Sequence, residues 1–389
     1  MIVSFVCAAL VAYALTPAVR VLAFKLGAVD VPLDKRRVHK KPVPRIGGLA
    51  IYVSFLAASA IFCDIDRVLV TIWIGGFVLV VLGVLDDIFR LNAFLKLGVQ
   101  VAVAVFAVLN GSVIEHVYIN DGFVSLGVFG IILSVLWIAG LTNAINFIDG
   151  LDGLACGVSA IATASMLAVV LLNGDYVSAG FCLIMLGSCL GFLPFNKNPA
   201  KIFMGDTGAM FLGFAMAIMS INGTFKLHTL LSFIVPILIF AIPIFDGLFS
   251  IIRRLVHGKS PFAPDRGHIH HRLIDMGFTQ KETVKILYSV CGIMGLVAVC
   301  FTDIIPESSR LIRTIAVMLI AVFIFIINYI ILKSPYGRKH SGISDEEMTT
   351  EEYLKELDEK HAEKIKEHNT EHSDAGDGPE TPDGGAEEK

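Results

Sequence analysis

Apolar runs of about 20 residues recur along most of this chain, and they constrain its fold more than any other feature. A bilayer core is about 30 Å thick and a helix rises about 1.5 Å per residue, so each run is long enough for one crossing. The windows fall near 1–23, 46–63, 68–85, 94–110, 126–143, 154–172, 177–194, 207–222, 229–251, 286–302 and 310–332, about eleven in all. Backbone N–H and C=O groups cannot stay unpaired in hydrocarbon, and a helix pairs its own. The expected fold is therefore all-α, a polytopic integral membrane protein with its active site at the cytoplasmic face. Composition agrees: 55% of the 389 residues are hydrophobic and the mean hydropathy is +0.73. Met1 to Leu22 lacks a basic leading segment and is long enough to span, so it reads as a retained first helix. The seven cysteines form no C-x-x-C and mostly lie in apolar runs, which predicts free thiols, with no zinc motif and no disulfide framework.

The net charge of −4 conceals a partition. Acidic residues pool after residue 340, whereas basic residues pool in two earlier loops. One loop carries Lys35, Arg36, Arg37, Lys40, Lys41 and Arg45; the other carries Arg253, Arg254, Lys259, Arg266 and Arg272. Both are short and flanked by spans, which argues against a nucleic-acid surface. The opposite loops, such as Cys63 to Arg67 and Asn173 to Tyr176, are poor in Lys and Arg. The positive-inside rule then places the amino terminus outside and the tail in the cytoplasm. Two regions result: a transmembrane domain over 1–335 and a charged tail over 336–389. The tail has the composition of a charged helix at Asp345 to His368 and of disordered chain beyond.

On that topology the polar stretches all fall on one side. They are D-V-P-L-D-K-R-R-V-H-K-K-P-V-P-R-I-G-G, G-V-L-D-D-I-F-R, N-A-I-N-F-I-D-G-L-D-G-L-A, F-N-K-N-P-A-K-I-F-M-G-D-T-G and R-R-L-V-H-G-K-S-P-F-A-P-D-R-G-H-I-H-H-R. Polar groups scattered for packing reasons would not choose a side, so the asymmetry predicts one site at the cytoplasmic face.

The residue types in these stretches suit phosphate and a hard cation. Asp86 and Asp87 end a span beside Arg90. Arg90 could neutralise one of them at a solvated helix end, but adjacent carboxylates are best tolerated where a cation such as Mg²⁺ neutralises both. Asp149 and Asp152 are three apart, which on a helix puts both on one face; a loop turn is the alternative, and it leaves Asn143 and Asn146 unexplained. Gly150 and Gly153 would let backbone approach a ligand closely. Asp206, in M-G-D-T-G, suits a helix N-cap and a metal ligand equally well. Arginine beside Gly-Gly in R-I-G-G, and the run H-I-H-H-R, offer donors to phosphate. His268, His270 and His271, with Asp265 and Asp275 nearby, could instead bind a transition metal, although their spacing matches no zinc signature.

In their order and wording, these motifs resemble the polyprenyl-phosphate N-acetylhexosamine-1-phosphate transferases, glycosyltransferase family 4, over about residues 25 to 275. H-I-H-H-R-L looks like the branch that uses UDP-N-acetylglucosamine to begin O-antigen, common-antigen or teichoic-acid linkage units. The family often has Ser after M-G-D-T-G, where this chain has Ala209. The resemblance implies transfer of N-acetylglucosamine-1-phosphate from UDP-GlcNAc to undecaprenyl phosphate, releasing UMP, with Mg²⁺ (or Mn²⁺) as cofactor. It implies Asp206 and then Asp87 as metal ligands, and Asp86 as the base that keeps the lipid phosphate ionised. It also implies Asp149 and Asp152 at the nucleotide or sugar, with Asn143 and Asn146 beside them, and Asn196 on the uracil side. Lys41 or Arg45, with Arg254, His268, His270 and His271, would take diphosphate charge. A bacterial inner-membrane location follows from the same resemblance, and a homodimer is left open. The runner-up within the family is the branch that transfers phospho-N-acetylmuramoyl-pentapeptide. A transporter is the rival of another class, but transporters place charge near the midplane on repeated, broken helices.

Overall fold

The computed structural model describes residues 1–30, 42–119, 122–224, 233–258, 260 and 267–301. The predicted span at 310–332, the acidic tail, Lys41, Lys35, Lys259 and Asp265 lie outside the described residues. The windows up to 207–222 each become one helix: α1 Ile2–Leu26, α2 Gly48–Phe62, α3 Arg67–Phe89, α4 Ala93–Leu109, α5 Val128–Ile148, α6 Leu154–Leu172, α7 Tyr176–Asn196 and α8 Gly205–Gly223. The window at 229–251 is broken at Phe240 into α9 Ile234–Ile239 and α10 Ala241–Val256. Pro236 and Pro243 each remove a backbone donor and give the break its cause. A short α11 Ile269–Asp275 then leads to α12 Gln280–Cys300, which opens on a capping box between Thr279 and Glu282. Two antiparallel ribbons, β1 Val29–Asp30 with β2 Val43–Pro44 and β3 His116–Ile119 with β4 Gly122–Ser125, are the strands among the described residues. Six of the described helices, α1, α3, α5, α6, α7 and α12, are long and apolar enough to cross a membrane; α2 and α4 are apolar but shorter. The described part is thus a multi-pass helical bundle.

The bundle is organised around α8. Nearly every residue from Thr207 to Ile221 is buried, and α8 packs against α2, α3, α5, α6 and α7. A helix that is apolar on all sides belongs at such a centre. The peripheral helices bury small residues inward and expose large ones. On α1, Ser4, Ala8, Ala12 and Thr16 are buried against the bundle while Ile2, Leu10 and Val21 are exposed. Without a hydrophobic drive between helices in lipid, small residues allow close approach and the packing contacts that hold them.

Helix polarity brings the described parts of the polar motifs to one end. α3, α5 and α7 finish there, and α2, α4, α6 and α8 start there. Asp66 and Asp175 are at the opposite end, where each caps a helix by accepting a backbone N–H, from Leu69 at 2.7 Å and Ser178 at 3.0 Å. At the polar end β2 is stitched to the start of α8: Phe203 N–H donates to Pro44 O at 2.7 Å, and Gly47 and Gly48 donate to Phe203 O and Met204 O, each at 2.9 Å. That stitching carries Arg45 to the site.

Two backbone contacts fix the register of α8. A Cβ on Gly48 would strike the backbone of Gly208, and one on Gly83 would strike Thr207 and Asp206. Gly83→Val should therefore misplace α8 and destabilise the protein by about 1–3 kcal/mol or more, read as a lower melting temperature in detergent. Gly140→Ala, where a Cβ meets nothing within 4 Å, is the control. Equal melting temperatures for the two variants would show that the contact does not set the register.

Candidate functional site

The centre of the polar end is a lysine held between two aspartates. Lys96 Nζ lies 2.8 Å from Asp86 Oδ2 and 2.9 Å from Asp206 Oδ2. Asn146 Nδ2 donates to the same Asp206 oxygen at 3.2 Å. Asp86 Oδ1 accepts the Leu91 N–H at 2.7 Å, closing the end of α3. The counterion of Asp86 is therefore Lys96; Arg90, the alternative partner weighed in the sequence, is the αL C-cap of α3 with φ 53°. Lys96 itself was missed in the sequence. A lone lysine within an otherwise apolar window was the available signal, because an ionisable group in a span is functional by default.

Asp87 has a different task. Its side chain is wholly buried, and every partner is a donor. Thr207 Oγ1 lies at 2.9 Å, the backbone N–H groups of Asp206 and Thr207 at 3.3 Å, and Arg45 Nε at 3.5 Å. A carboxylate from α3 thus satisfies the open N-terminus of α8 from outside. The capping reading of Asp206 falls for the same reason: the N-cap is Met204, and Asp206 sits in the first turn with its carboxylate turned to Lys96 and Asn146. Gly205, at φ 71°, makes the turn into the helix.

Asn143 and Asn146 lie within α5, which runs five residues beyond the predicted end at 143. Asn143 Nδ2 donates to Gln100 Oε1 at 2.6 Å. Asp149 is the C-cap residue, and residues 150–153 form a turn. The expected shared helical face of Asp149 and Asp152 is thereby corrected, because the helix ends at Ile148, before both of them. The Asp149 carboxyl takes the Gly205 backbone hydrogen bond and is pushed up to about 8, first by desolvation and then by the nearby Asp206 and Asp87 charges. Asp152 points to the loop after α7. Its Oδ2 accepts from Asn198 Nδ2 at 2.9 Å and from Ala200 N at 3.0 Å. Asn196 braces that loop from within, donating to Ile202 O at 3.1 Å while its buried Oδ1 has no protein partner.

The histidine motif closes the site from the other side. His268 Nδ1 is 2.9 Å from Asp246 Oδ2, and Ile269 N–H donates to Asp246 Oδ1 at 2.8 Å. His270 is buried, and a Cβ on Gly150 would strike its Nε2, an atom without a hydrogen-bond partner. Burial, with the neighbouring His271 and His268, pushes its pKa down to about 3, which favours the neutral imidazole. His271 lies beside it, ring centroids 4.3 Å apart and the planes tilted by 43°. Among the described residues, which leave out Asp265, no group of three or more His, Cys, Asp or Glu is arranged to hold a metal ion.

Between α4, α5 and α10 lies a cavity of about 790 Å³. Leu97, Val101, Leu136, Trp137, Leu248 and Ile251 give it apolar walls, and Lys96, Asn143, Asn146, Arg254 and His268 supply its polar lining. Leu136 and Leu248 are also exposed on the bundle's apolar exterior, so the cavity opens sideways. Ala209, where the family often has Ser, is fully buried in α8.

A multi-pass helical bundle with a lysine-bridged carboxylate site at the head of an apolar, side-opening cavity is the class that fold and site define. Comparison with known proteins narrows it. The glycosyl transferase family 4 profile matches residues 69–224. A probable undecaprenyl-phosphate N-acetylglucosaminyl 1-phosphate transferase of Bacillus subtilis is 40% identical over 332 residues, 84% of this chain and 89% of that one. A decaprenyl-phosphate N-acetylglucosaminephosphotransferase of Mycolicibacterium smegmatis is 33% identical, over 80% of this chain and 84% of its own. An undecaprenyl-phosphate alpha-N-acetylglucosaminyl 1-phosphate transferase of Escherichia coli K12 is 29% identical, over 74% of this chain and 81% of its own. The chain belongs to glycosyl transferase family 4.

The geometry separates Asp87 from Asp206. An amide at position 87 must turn its NH₂ toward donors, so Asp87→Asn should destabilise the protein by about 3 kcal/mol or more, the scale of breaking a buried pair. Thermal unfolding in detergent measures this. An unchanged melting temperature with lost activity would make Asp87 a ligand and not the external cap of α8.

Proposed function

We propose that this protein transfers N-acetylglucosamine-1-phosphate from UDP-GlcNAc to undecaprenyl phosphate, giving undecaprenyl-diphosphate-GlcNAc and UMP. The observation that carries the proposal is the Lys96 bridge at the polar end of the apolar cavity. A polyprenyl chain suits the walls, and its phosphate suits a head lined by Lys96, Arg254 and His268. The lipid phosphate oxygen attacks the sugar-linked phosphorus, a new P–O–P bond forms, and the bond to UMP breaks. Little covalent help is needed from protein in such a transfer; positioning and charge neutralisation supply most of it.

The residues fit Mg²⁺ or Mn²⁺ in a particular way. Mg²⁺ is usually held by one or two carboxylates together with substrate phosphates, without an all-protein cage. Asp206 with Asp86 offers that donor set, since the partner they share is the mobile side chain of Lys96, whereas Asp87 is committed to the start of α8 and to Arg45. When bound, the ion would neutralise diphosphate charge. Lys96 leaves its place between the two carboxylates to meet phosphate. A phosphate monoester has a second pKa of about 6 and needs little deprotonation at neutral pH, so Asp86 is better suited to orienting Lys96 than to acting as base. Asp152 and Asn196 shape the loop over the nucleotide side. The basic loops support a reading in which this end of the bundle faces the cytoplasm and the amino terminus lies outside, with about eleven spans in all, and the family resemblance supports a bacterial inner membrane.

Purified full-length protein with undecaprenyl phosphate and Mg²⁺ should release UMP from UDP-GlcNAc and not from UDP-MurNAc-pentapeptide. Turnover of the pentapeptide substrate alone would transfer the protein to the runner-up branch.

Asp206→Asn keeps the size of the side chain and an oxygen that can accept from Lys96, whose charge stays paired with Asp86, so the melting temperature should fall less than in Asp87→Asn. The kcat of Asp206→Asn should fall by about 10²-fold or more, the scale of removing one stabiliser of transition-state charge. Near-normal turnover at unchanged Mg²⁺ dependence would remove Asp206 from the metal site.

A further inference from the structure

Helix α10 carries a polar stripe of which the reading of the motifs uses only Arg254. Asp246, Ser250 and Arg254 are spaced four apart, so they stack on one helical face, and all three are buried. The other face exposes Leu248, Phe249, Ile252 and Leu255. Arg254 Nη2 donates to Ser250 Oγ at 3.0 Å. Asp246, 3% exposed in the middle of an apolar span, is an expensive residue to place there without a purpose.

Both oxygens of Asp246 are committed to the histidine segment, Oδ2 to His268 Nδ1 and Oδ1 to the Ile269 N–H. A carboxylate accepts, so the proton on the imidazole is held at Nδ1 and Nε2 is the free nitrogen. The ring is also boxed in: the rings of Phe147 and His270 lie 5.9 and 5.8 Å from it, the latter stacked at 10°. His268 lines the cavity with Lys96, Asn146 and Arg254.

We infer that Asp246 is a positioning residue for the transfer reaction, setting the tautomer and orientation of His268 so that the Nε2 lone pair faces the cavity and accepts the proton of a monoprotonated lipid phosphate, with the Asp246 carboxylate facing the imidazolium that results. This rests on the phosphoryl-transfer reading above. The alternative is that Asp246 merely docks α11 on α10 through the Ile269 N–H. An asparagine separates the two roles. It has one acceptor oxygen, which suits the Ile269 N–H and leaves NH₂ facing Nδ1. The imidazole must then move its proton to Nε2, the wrong nitrogen; an Asp-to-Asn change behind a serine-protease histidine has this effect.

The test is a double-mutant cycle of Asp246→Asn and His268→Ala in the full-length protein, following UMP release. Asp246→Asn should lower kcat by about 10²-fold or more while KM for UDP-GlcNAc changes less than about threefold. In the His268→Ala background it should cost less than about threefold, since the residue it positions is gone. Full turnover in Asp246→Asn, or the same loss in both backgrounds, overturns the inference. If Asp246→Asn does not fold, ¹⁵N-histidine spectra of the wild type decide, with His268→Gln assigning the resonance. Protonation at Nδ1 is expected, and a neutral Nε2–H tautomer overturns the inference. A wild type that releases no UMP from UDP-GlcNAc would instead count against the proposed function, and the same spectra would still decide the tautomer that Asp246 imposes.

Discussion

The arrangement of the polar end depends on one buried carboxylate. Asp87, at the last turn of α3, faces four donors from two other parts of the chain: Arg45 beside β2, and the backbone and side chain at the start of α8. An unpartnered charge in that position would be prohibitive, and an unpartnered helix N-terminus costly. Each cancels the other's cost, which makes the meeting of α3 and α8 obligatory. Once it is made, Asp206 has one place to go. Its backbone is tied to Asp87 and its side chain turns toward Lys96 and Asn146. Adjacent aspartates thus divide the labour, Asp86 holding the lysine and Asp87 the helix.

From that anchor the segment 143–153 distributes contacts to most of the surrounding elements. Asn143 reaches α4 through Gln100, Asn146 and Asp149 reach the start of α8, and Gly150 accommodates His270. Asp152 holds the loop after α7, and the Gly153 carbonyl accepts from Tyr288 of α12 at 2.5 Å. The two asparagines and two aspartates in an otherwise apolar context are therefore junction residues. Between them they join α4, the start of α8 and the loop after α7 to the site.

The helices α1 to α8 were legible because a bilayer imposes length and hydropathy on each crossing, and both can be counted. Their ends were less so. The fifth span was ended at Asn143 because polarity reads as a boundary, but Asn143 and Asn146 stay helical since each finds a partner that only the folded chain supplies. The break at Phe240 was signalled by Pro236 and Pro243, which hydropathy does not register. At the site, residues in clustered motifs were found, and single polar residues inside spans were not. Lys96, Gln100 and Asp246 belong to the second kind. The contest between cap and ligand at Asp206 could not be settled from its own neighbourhood, because the group that closes the helix comes from a residue 119 positions earlier.

The glycine contacts of α8 reach beyond packing. Where Gly48 meets Gly208 and Gly83 meets Thr207, main chain rests on main chain, with no flexible side chain to absorb an error. The seam works as a mechanical stop: α8 cannot slide along its axis without a collision, so the height of Asp206 relative to Lys96 is set by hard contacts and is insulated from changes at the lipid-facing surface. The outer faces of α1, α3 and α12 can then vary with the membrane they inhabit, and the reacting groups keep their alignment. Tolerance at the periphery and intolerance at three glycines are two sides of one design.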